Sequence, residues 1–235
     1  MIQSDNQRMR RKAITDEDIK VGIVNVMGWD SRLDASEIKV EVDNWNVTLS
    51  GCVPTYRSKI AALEDVQSFN NVKQVKNNIQ VKYLLTEPHS TDDEIIKKAQ
   101  QMLFWNSDLD VSNVDIIYED GVLTIQGTVP YYWQMERAED LLSGMHFVDS
   151  IRNELAVVPT REISDQNIAQ VIVEALERSE FMDFKNINVE VAHGHVTLSG
   201  QISTPFANWQ IAKTVSQTDG VQKVSNHLKI KYESI

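Results

Sequence analysis

The sequence predicts an α+β protein made of three tandem copies of one small domain. Three stretches of 67 residues align with one another without a gap, at residues 15–81, 91–157 and 164–230. A glycine stands 36 residues after the start of each copy, and an asparagine follows it 26 residues later. A period of about 75 residues is too long for a solenoid repeat and fits a duplicated small domain.

The segments outside the copies are short. We expect a basic tail over residues 1–14 and linkers over residues 82–90 and 158–163. The linkers contain Pro88 and Pro159 and no glycine, which favours fixed neighbours over flexibly tethered domains. A domain of about 60 residues buries only about 60% of its unfolded surface, so contacts between copies are expected to add stability.

Each copy begins with the pattern of a helix N-terminus. Thr15, Thr91 and Ser164 are good N-cap residues, each is followed by an aspartate, and Thr91 forms a capping box with Glu94. Apolar residues then recur every four positions, which places them on one helix face. These positions are Ile19, Ile23 and Met27, then Ile95, Ala99 and Leu103, then Ile168, Ile172 and Leu176.

Two strands joined by a tight turn follow the first helix. The first strand alternates apolar and polar residues, as a strand with one buried face does. Gly121 and Gly194 supply the positive φ of a tight hairpin in copies two and three. Trp45 takes the glycine position in copy one, so we expect Asn44 to adopt the left-handed conformation there.

The returning strand is the clearest signature of the repeat. It reads Val-Thr-Leu-Ser-Gly in copies one and three, where it ends at Gly51 and Gly200. It reads Leu-Thr-Ile-Gln-Gly in copy two, where it ends at Gly127. A glycine inside a strand predicts a bulge or a close backbone approach, here by the helix that follows.

A second helix and a last strand complete each copy. Prolines stand near the start of the helix, where a missing N–H does little harm, at Pro54, Pro130 and Pro205. The last strand carries the spacing Val-x-x-Val-x-Asn, with Ile replacing the second Val in copy two and with the asparagine at Asn77, Asn153 and Asn226. Each domain is therefore expected to hold a three-stranded mixed sheet packed against two helices, with a right-handed final crossover.

These two phrases resemble the BON domain of bacteria, the domain of the osmotically inducible protein Y family. The resemblance covers all three copies and implies small non-enzymatic modules that attach proteins to phospholipid membranes, under osmotic or envelope stress. Relatives usually carry a signal peptide or a lipoprotein anchor, and neither pattern is present here. We therefore expect a cytoplasmic protein as written, or a periplasmic one if a native leader is missing.

Composition and motifs exclude several classes of function. A net charge of −11 argues against a nucleic-acid partner, which would need a clustered basic face. No phosphate loop, nucleophile elbow or zinc-protease helix motif occurs, so neither catalysis nor a cofactor is expected. His193 and His195 flank one turn, but two ligands are too few for a metal site. Cys52 shares its position with Thr128 and Gln201, so it is not marked as a nucleophile.

Candidate lipid contacts come from charge and from aromatic side chains. Basic residues of the tail are expected to attract anionic lipid, namely Arg8, Arg10, Arg11 and Lys12. The resemblance implicates the second helix in lipid contact, which selects Tyr132 and Trp133 as an apolar anchor.

Trp29 and Trp105 share one position after the first helix, and packing between domains is favoured for them over lipid contact. Two classes of function remain open. One is a peripheral phospholipid-binding protein, and the other is a soluble acidic scaffold for protein partners or self-association.

Overall fold

The chain forms three repeated units, which we call modules 1, 2 and 3. The computed structural model describes residues 14–69, 72–83, 91–178, 186–202 and 204–230, without the side chains of residues 205 and 206. Each module has the order helix, strand, strand, helix, strand, which confirms the predicted α+β fold. The four basic tail residues, Arg8, Arg10, Arg11 and Lys12, lie outside the described residues.

The three modules have matching element boundaries. Module 1 consists of α1 (Asp16–Trp29), β1 (Ile38–Asp43), β2 (Asn46–Val53), α2 (Tyr56–Gln67) and β3 (Gln74–Val81). Module 2 consists of α3 (Asp92–Phe104), β4 (Val114–Glu119), β5 (Val122–Val129), α4 (Tyr132–Ser143) and β6 (Ser150–Val157). Module 3 consists of α5 (Asp165–Glu177), β7 (Ile187–Ala192), β8 (His195–Ile202), α6 (Pro205–Ser216) and β9 (Lys223–Ile230).

The returning strand is the centre of each sheet. β2, β5 and β8 pair antiparallel with the strand before them and parallel with the strand after them. A parallel pair needs a crossover, and the second helix of each module provides it. The first and last strands are therefore the edges of each sheet.

Each module buries its own apolar core between the sheet and the two helices. The first-helix positions expected to face inward are all at most 4% exposed. They pack against alternate residues of the central strand, such as Leu49, Leu123 and Leu198, which are fully buried. The helices start where the caps predict, and Thr15 forms a second capping box with Asp18 besides that of Thr91 with Glu94.

The signature glycines lie where no other residue fits. Gly51, Gly127 and Gly200 have φ values of +123°, +119° and +129°, and an added Cβ would lie 1.9–2.0 Å from a backbone carbonyl oxygen. The expected close approach is real, but the prediction that the following helix makes it was wrong. The carbonyl belongs to the residue just before the first strand, Glu37, Asn113 or Asn186.

The signature asparagines join the last strand to the second helix. In modules 1 and 2 the side-chain amide of Asn77 or Asn153 donates to a helix carbonyl, at 3.3 Å and 3.0 Å. In module 3 the amide of Asn226 donates to the Oδ1 of Asn208 at 2.8 Å. The Oδ1 of each signature asparagine accepts from the amide two residues later, so one side chain fixes both the strand and the helix.

The hairpin of module 1 keeps a glycine-type turn without a glycine. Asn44 has φ +49° as expected, but Trp45 also has a positive φ of +69°. Both turn amides donate to the carboxylate of Asp16, at 2.8 Å and 3.0 Å, and the Nζ of Lys73 lies 5.2 Å from the Trp45 ring centroid. These contacts offset the strain of a left-handed tryptophan.

We expect Gly127→Ala to lower the free energy of unfolding by about 2 kcal/mol or more, because even a methyl group meets a carbonyl oxygen there. Gly144→Ala is the matched control, since its φ is −87° and its new Cβ would lie 3.8 Å from Arg57. Urea unfolding of both variants checks this, and similar values for the two would show that the Gly127 backbone relaxes freely.

Candidate functional site

Module 2 contacts both of its neighbours through helix α4. On the side of module 1, the guanidinium of Arg57 in α2 donates to Ser143 Oγ at 3.1 Å and to the carbonyl oxygen of Asp140 at 2.5 Å. It also pairs with the Asp140 carboxylate at 3.2 Å. Arg57 occupies the position of Trp133 and Phe206 in the other copies, so this position carries the contact between modules 1 and 2.

Tyr83, the second residue after β3, adds a second contact between modules 1 and 2. The hydroxyl of Tyr83 donates to the carboxylate of Asp149, and its ring lies 4.9 Å from that of Phe147 between centroids. Phe147 has a positive φ of +64°, and the carbonyl oxygen of the same residue accepts from the hydroxyl of Tyr118. The start of the first linker is thereby held on module 2.

The opposite side of α4 faces module 3. Tyr132 packs against the cores of both module 2 and module 3, and Glu136 is hydrogen-bonded to Ser216 of α6. Burial raises the pKa of the Glu136 carboxyl, and the hydrogen bond to Ser216 opposes that rise. Helix α4 is therefore the element shared by all three modules.

This arrangement places the predicted lipid anchor on the inside of the assembly. Tyr132 and Trp133 are half-buried, and both pack against the core of module 2. Trp133 also stacks on Tyr131, with 6.3 Å between ring centroids.

The aromatic residues at the ends of the first helices are the exposed ones. Trp29 is 90% exposed and Trp105 is 81% exposed, so the prediction that they pack between modules was wrong. Both stand at the C-terminal end of a helix, where the chain turns away and leaves the ring uncovered. Phe104, beside Trp105, is 72% exposed and lies edge-on to it at 6.2 Å between centroids.

The outward face of α3 combines these rings with positive charge. Lys97 and Lys98 are exposed about two turns before Phe104 and Trp105, so the four side chains lie on one side of the helix. Sequence reasoning missed Phe104 and the two lysines. The available signal was the disagreement between copies, because Gly28 and Glu177 stand at the position of Phe104.

The other polar candidates have local partners. His195 Nε2 lies 2.9 Å from the hydroxyl of Ser225, while the amide of His193 donates to the Asp165 carboxylate.

Among the described residues no group of three or more His, Cys, Asp or Glu side chains is arranged to hold a metal ion. In that same part of the chain no helix is long and apolar enough to cross a bilayer. Cys52 is a free, partly exposed thiol on β2.

One buried carboxyl group has a strongly altered acidity. Burial raises the pKa of Asp65 in α2 to about 6, and the nearby Asp30 carboxylate adds to this rise while Arg32 opposes it. The Oδ2 atom of Asp65 is buried without a hydrogen-bond partner. Asp65 lies at a helix surface inside module 1 and lines no described cavity, so we regard it as a structural feature.

Three copies of one frame, with different side chains at the same surface positions, define a multi-module protein whose specificity lies in surface contacts. The chain belongs to the BON domain family, whose model matches residues 15–83, 91–159 and 164–232. It is 25% identical over 146 residues to osmotically-inducible protein Y of Escherichia coli K12, covering 60% of this chain and 73% of that protein.

Solved structures give only distant similarities. CdsD, a structural protein of the type III secretion system of Chlamydia trachomatis, is 17% identical with a TM-score of 0.28, covering 92% of this chain and 94% of that one. The periplasmic domain of the inner membrane protein PrgH from S. typhimurium is 13% identical with a TM-score of 0.21, covering 83% and 94%. At this level neither similarity carries a functional argument.

Removing the Arg57 contact should loosen module 1 from module 2. We expect Arg57→Ala to lower the free energy of unfolding by about 1 kcal/mol, since charge-assisted hydrogen bonds are lost from a partly exposed site. Thermal unfolding measures the effect. Lys59→Ala on the same helix is the control, and an equal loss there would show that Arg57 has no special role.

Asp65 predicts a specific dependence of stability on pH. Because its pKa is about 6 in the folded protein and 3.8 as the model value, the folded state holds this proton more tightly. Its contribution to the free energy of unfolding is therefore present below pH 4 and is lost as the pH rises to about 6. We expect the stability of Asp65→Asn relative to the native protein to rise by about 1–2 kcal/mol from pH 4 to pH 8.

Urea unfolding at the two pH values provides the measurement for Asp65. Asp34→Asn is the control, because the Ser36 amide lowers the pKa of the Asp34 carboxyl. Its relative stability should stay nearly constant between pH 4 and pH 8, because a carboxyl whose pKa is lowered affects stability only below about pH 4. A constant difference between Asp65→Asn and the native protein would contradict the raised pKa.

Proposed function

We propose that this BON-domain protein is a non-enzymatic module array that binds phospholipid membrane surfaces under osmotic or envelope stress. The observation that carries the proposal is the outward face of α3, where Phe104 and Trp105 are exposed next to Lys97 and Lys98. Family membership and the similarity to an osmotically inducible protein support the physiological setting.

The two rings supply the apolar part of the contact. A fully covered Phe or Trp removes about 150–250 Å² from water, and apolar burial contributes about 25 cal/mol per Å². Tryptophan also prefers the headgroup level of a bilayer, where its ring is partly apolar and its N–H stays hydrated. Trp105 at the end of α3 has the exposure that such insertion requires.

The net charge of −11 repels the chain from an anionic membrane surface. Lys97 and Lys98 supply a local attraction to that surface. A basic residue close to an anionic leaflet contributes about 1 kcal/mol. The acidic residues Asp92, Asp93 and Glu94 lie in the first turn of α3. Asp93 and Glu94 stand four residues before Lys97 and Lys98, on the same side of the helix and within about 6 Å of them, so they offset part of this attraction. The two rings therefore carry the larger share of the proposed contact, and the lysines, which lie between the carboxylates and the rings, contribute the smaller share.

Other parts of the chain are proposed to add to this contact. Trp29 presents a second exposed ring at the same position in module 1. The tail with Arg8, Arg10 and Arg11 would add attraction to the same anionic surface, and several weak contacts on one chain strengthen one another. We do not assign the contact to Tyr132 and Trp133, because burying them against the module 2 core leaves little ring to insert. The proposed contact needs only anionic lipid, so it applies to a cytoplasmic or a periplasmic location of the protein.

Vesicle co-sedimentation tests the proposal. We expect the full chain to bind phosphatidylglycerol vesicles at low salt and to bind phosphatidylcholine vesicles much less. The double variant Phe104→Ser and Trp105→Ser should weaken binding at least tenfold, because both rings leave the interface. Trp209→Ser is the matched control, since Trp209 is 55% exposed on a second helix, and it should bind as the native chain does.

Deleting residues 1–12 measures the contribution of the tail, and a modest loss is expected. If the native chain ignores phosphatidylglycerol at low salt, the membrane proposal is wrong and the soluble scaffold becomes the better interpretation. If binding persists unchanged in the double variant, the contact lies elsewhere than on α3.

A further inference from the structure

The edge strand β4 differs from its counterparts in the other modules. Glu41 in β1 and Glu190 in β7 occupy the middle of the exposed sheet face, and each has a polar neighbour on the same strand. In β4 the same position is Ile117, which is 40% exposed. Charged residues in the middle of an edge strand hinder the addition of further strands, and β4 lacks this protection.

An apolar groove runs beside the same strand. It has a volume of about 400 Å³ and lies between α3 and β4. Its apolar lining consists of Leu103, Phe104, Val111, Val114 and Ile116, and Gln100 and Gln101 of α3 add polar side chains. Lys97 stands at its rim. An open strand edge next to an apolar groove is the arrangement that binds extended peptides by strand addition, with alternate side chains entering the groove.

The charges on β4 indicate which kind of strand fits. On the exposed face Asp115 and Glu119 flank Ile117, and both are exposed. Opposite charges on facing strands stabilise a pair, and like charges directly opposite destabilise it. A matching strand therefore carries a basic residue, an apolar residue and a basic residue at alternate positions.

A second copy of β4 does not meet these requirements. Antiparallel self-pairing centred on Ile117 would place Asp115 opposite Glu119 of the other copy. Shifting the centre to Ile116 places Ile117 opposite Asp115, and shifting it to Tyr118 places Ile117 opposite Glu119. Each of these registers sets a carboxylate against a carboxylate or against the isoleucine.

We propose that the outer edge of β4, which pairs only with β5 among the described strands, binds an extended segment of a partner protein as a fourth strand, with basic residues facing Asp115 and Glu119 and an apolar residue facing Ile117. The apolar residues between them enter the groove beside Phe104. The groove shares Phe104 and Lys97 with the proposed membrane contact, but Ile117 lies on the sheet face away from α3, so a substitution there tests the peptide site alone.

A labelled synthetic peptide with the core Lys-Val-Ile-Val-Lys tests the inference, since its palindromic pattern matches β4 in either direction. Fluorescence anisotropy with the full chain should show saturable binding. The peptide Glu-Val-Ile-Val-Glu has the same apolar core and should bind at least tenfold more weakly.

Protein variants identify the strand. Ile117→Glu gives β4 the residue that β1 and β7 have, so the fold should be kept while binding falls at least tenfold. Ser50→Glu is the control, because it adds the same charge to the sheet of module 1. The double variant Asp115→Lys and Glu119→Lys should reverse the preference to the acidic peptide. Circular dichroism and thermal unfolding check that each variant is folded. If Ile117→Glu does not fold, the peptide preference of the Asp115→Lys and Glu119→Lys double variant tests the inference.

Three results would overturn the inference. They are equal binding of the two peptides, full binding by a folded Ile117→Glu variant, and a native dimer that Ile117→Glu converts to a monomer. The last result would assign the edge to a second copy of this chain. Vesicle binding that survives Ile117→Glu while peptide binding is lost would separate this surface from the proposed membrane contact.

Discussion

The close approach between a carbonyl oxygen and the signature glycine sets the geometry of each module. The carbonyl of Glu37, Asn113 or Asn186 occupies the space where any other residue would have its Cβ. This contact fixes how the chain enters the first strand, and so where the first helix lies over the sheet. The signature asparagine then fixes the second helix on the last strand. The apolar cores form within a frame that these two contacts define.

The sequence was sufficient for this frame because each pattern is present three times. A four-residue apolar spacing in one copy is weak, but the same spacing at Ile19, Ile95 and Ile168 indicates one helix face. The glycine position was predicted, but the atom it makes room for was not, because a sequence pattern does not show which backbone carbonyl will lie against a strand. Asn44 was predicted to be left-handed, but the positive φ of Trp45 was not foreseen. The carboxylate of Asp16, which accepts hydrogen bonds from both turn amides, lies on α1 and is distant in the sequence.

The surface was harder to predict than the core. Aromatic character does not reveal whether a neighbour covers the ring, so Trp29 and Trp105 were expected to be buried and Trp133 to be available. In the structure the rings at the helix ends are exposed, and Trp133 is half-buried against the core of module 2. Which residues are covered depends on how the modules meet. That arrangement is set by single residues such as Arg57, at positions where the copies differ.

The sharing of α4 has a consequence for how such a chain can evolve. The three domains have the same topology, yet the middle one alone supplies partners to both sides, with Asp140 and Ser143 toward Arg57 and Tyr132 toward the third core. Exchanging the copies, or deleting the middle one, would leave these complementary surfaces unmatched. The three modules therefore share one fold but are not interchangeable in their order along the chain.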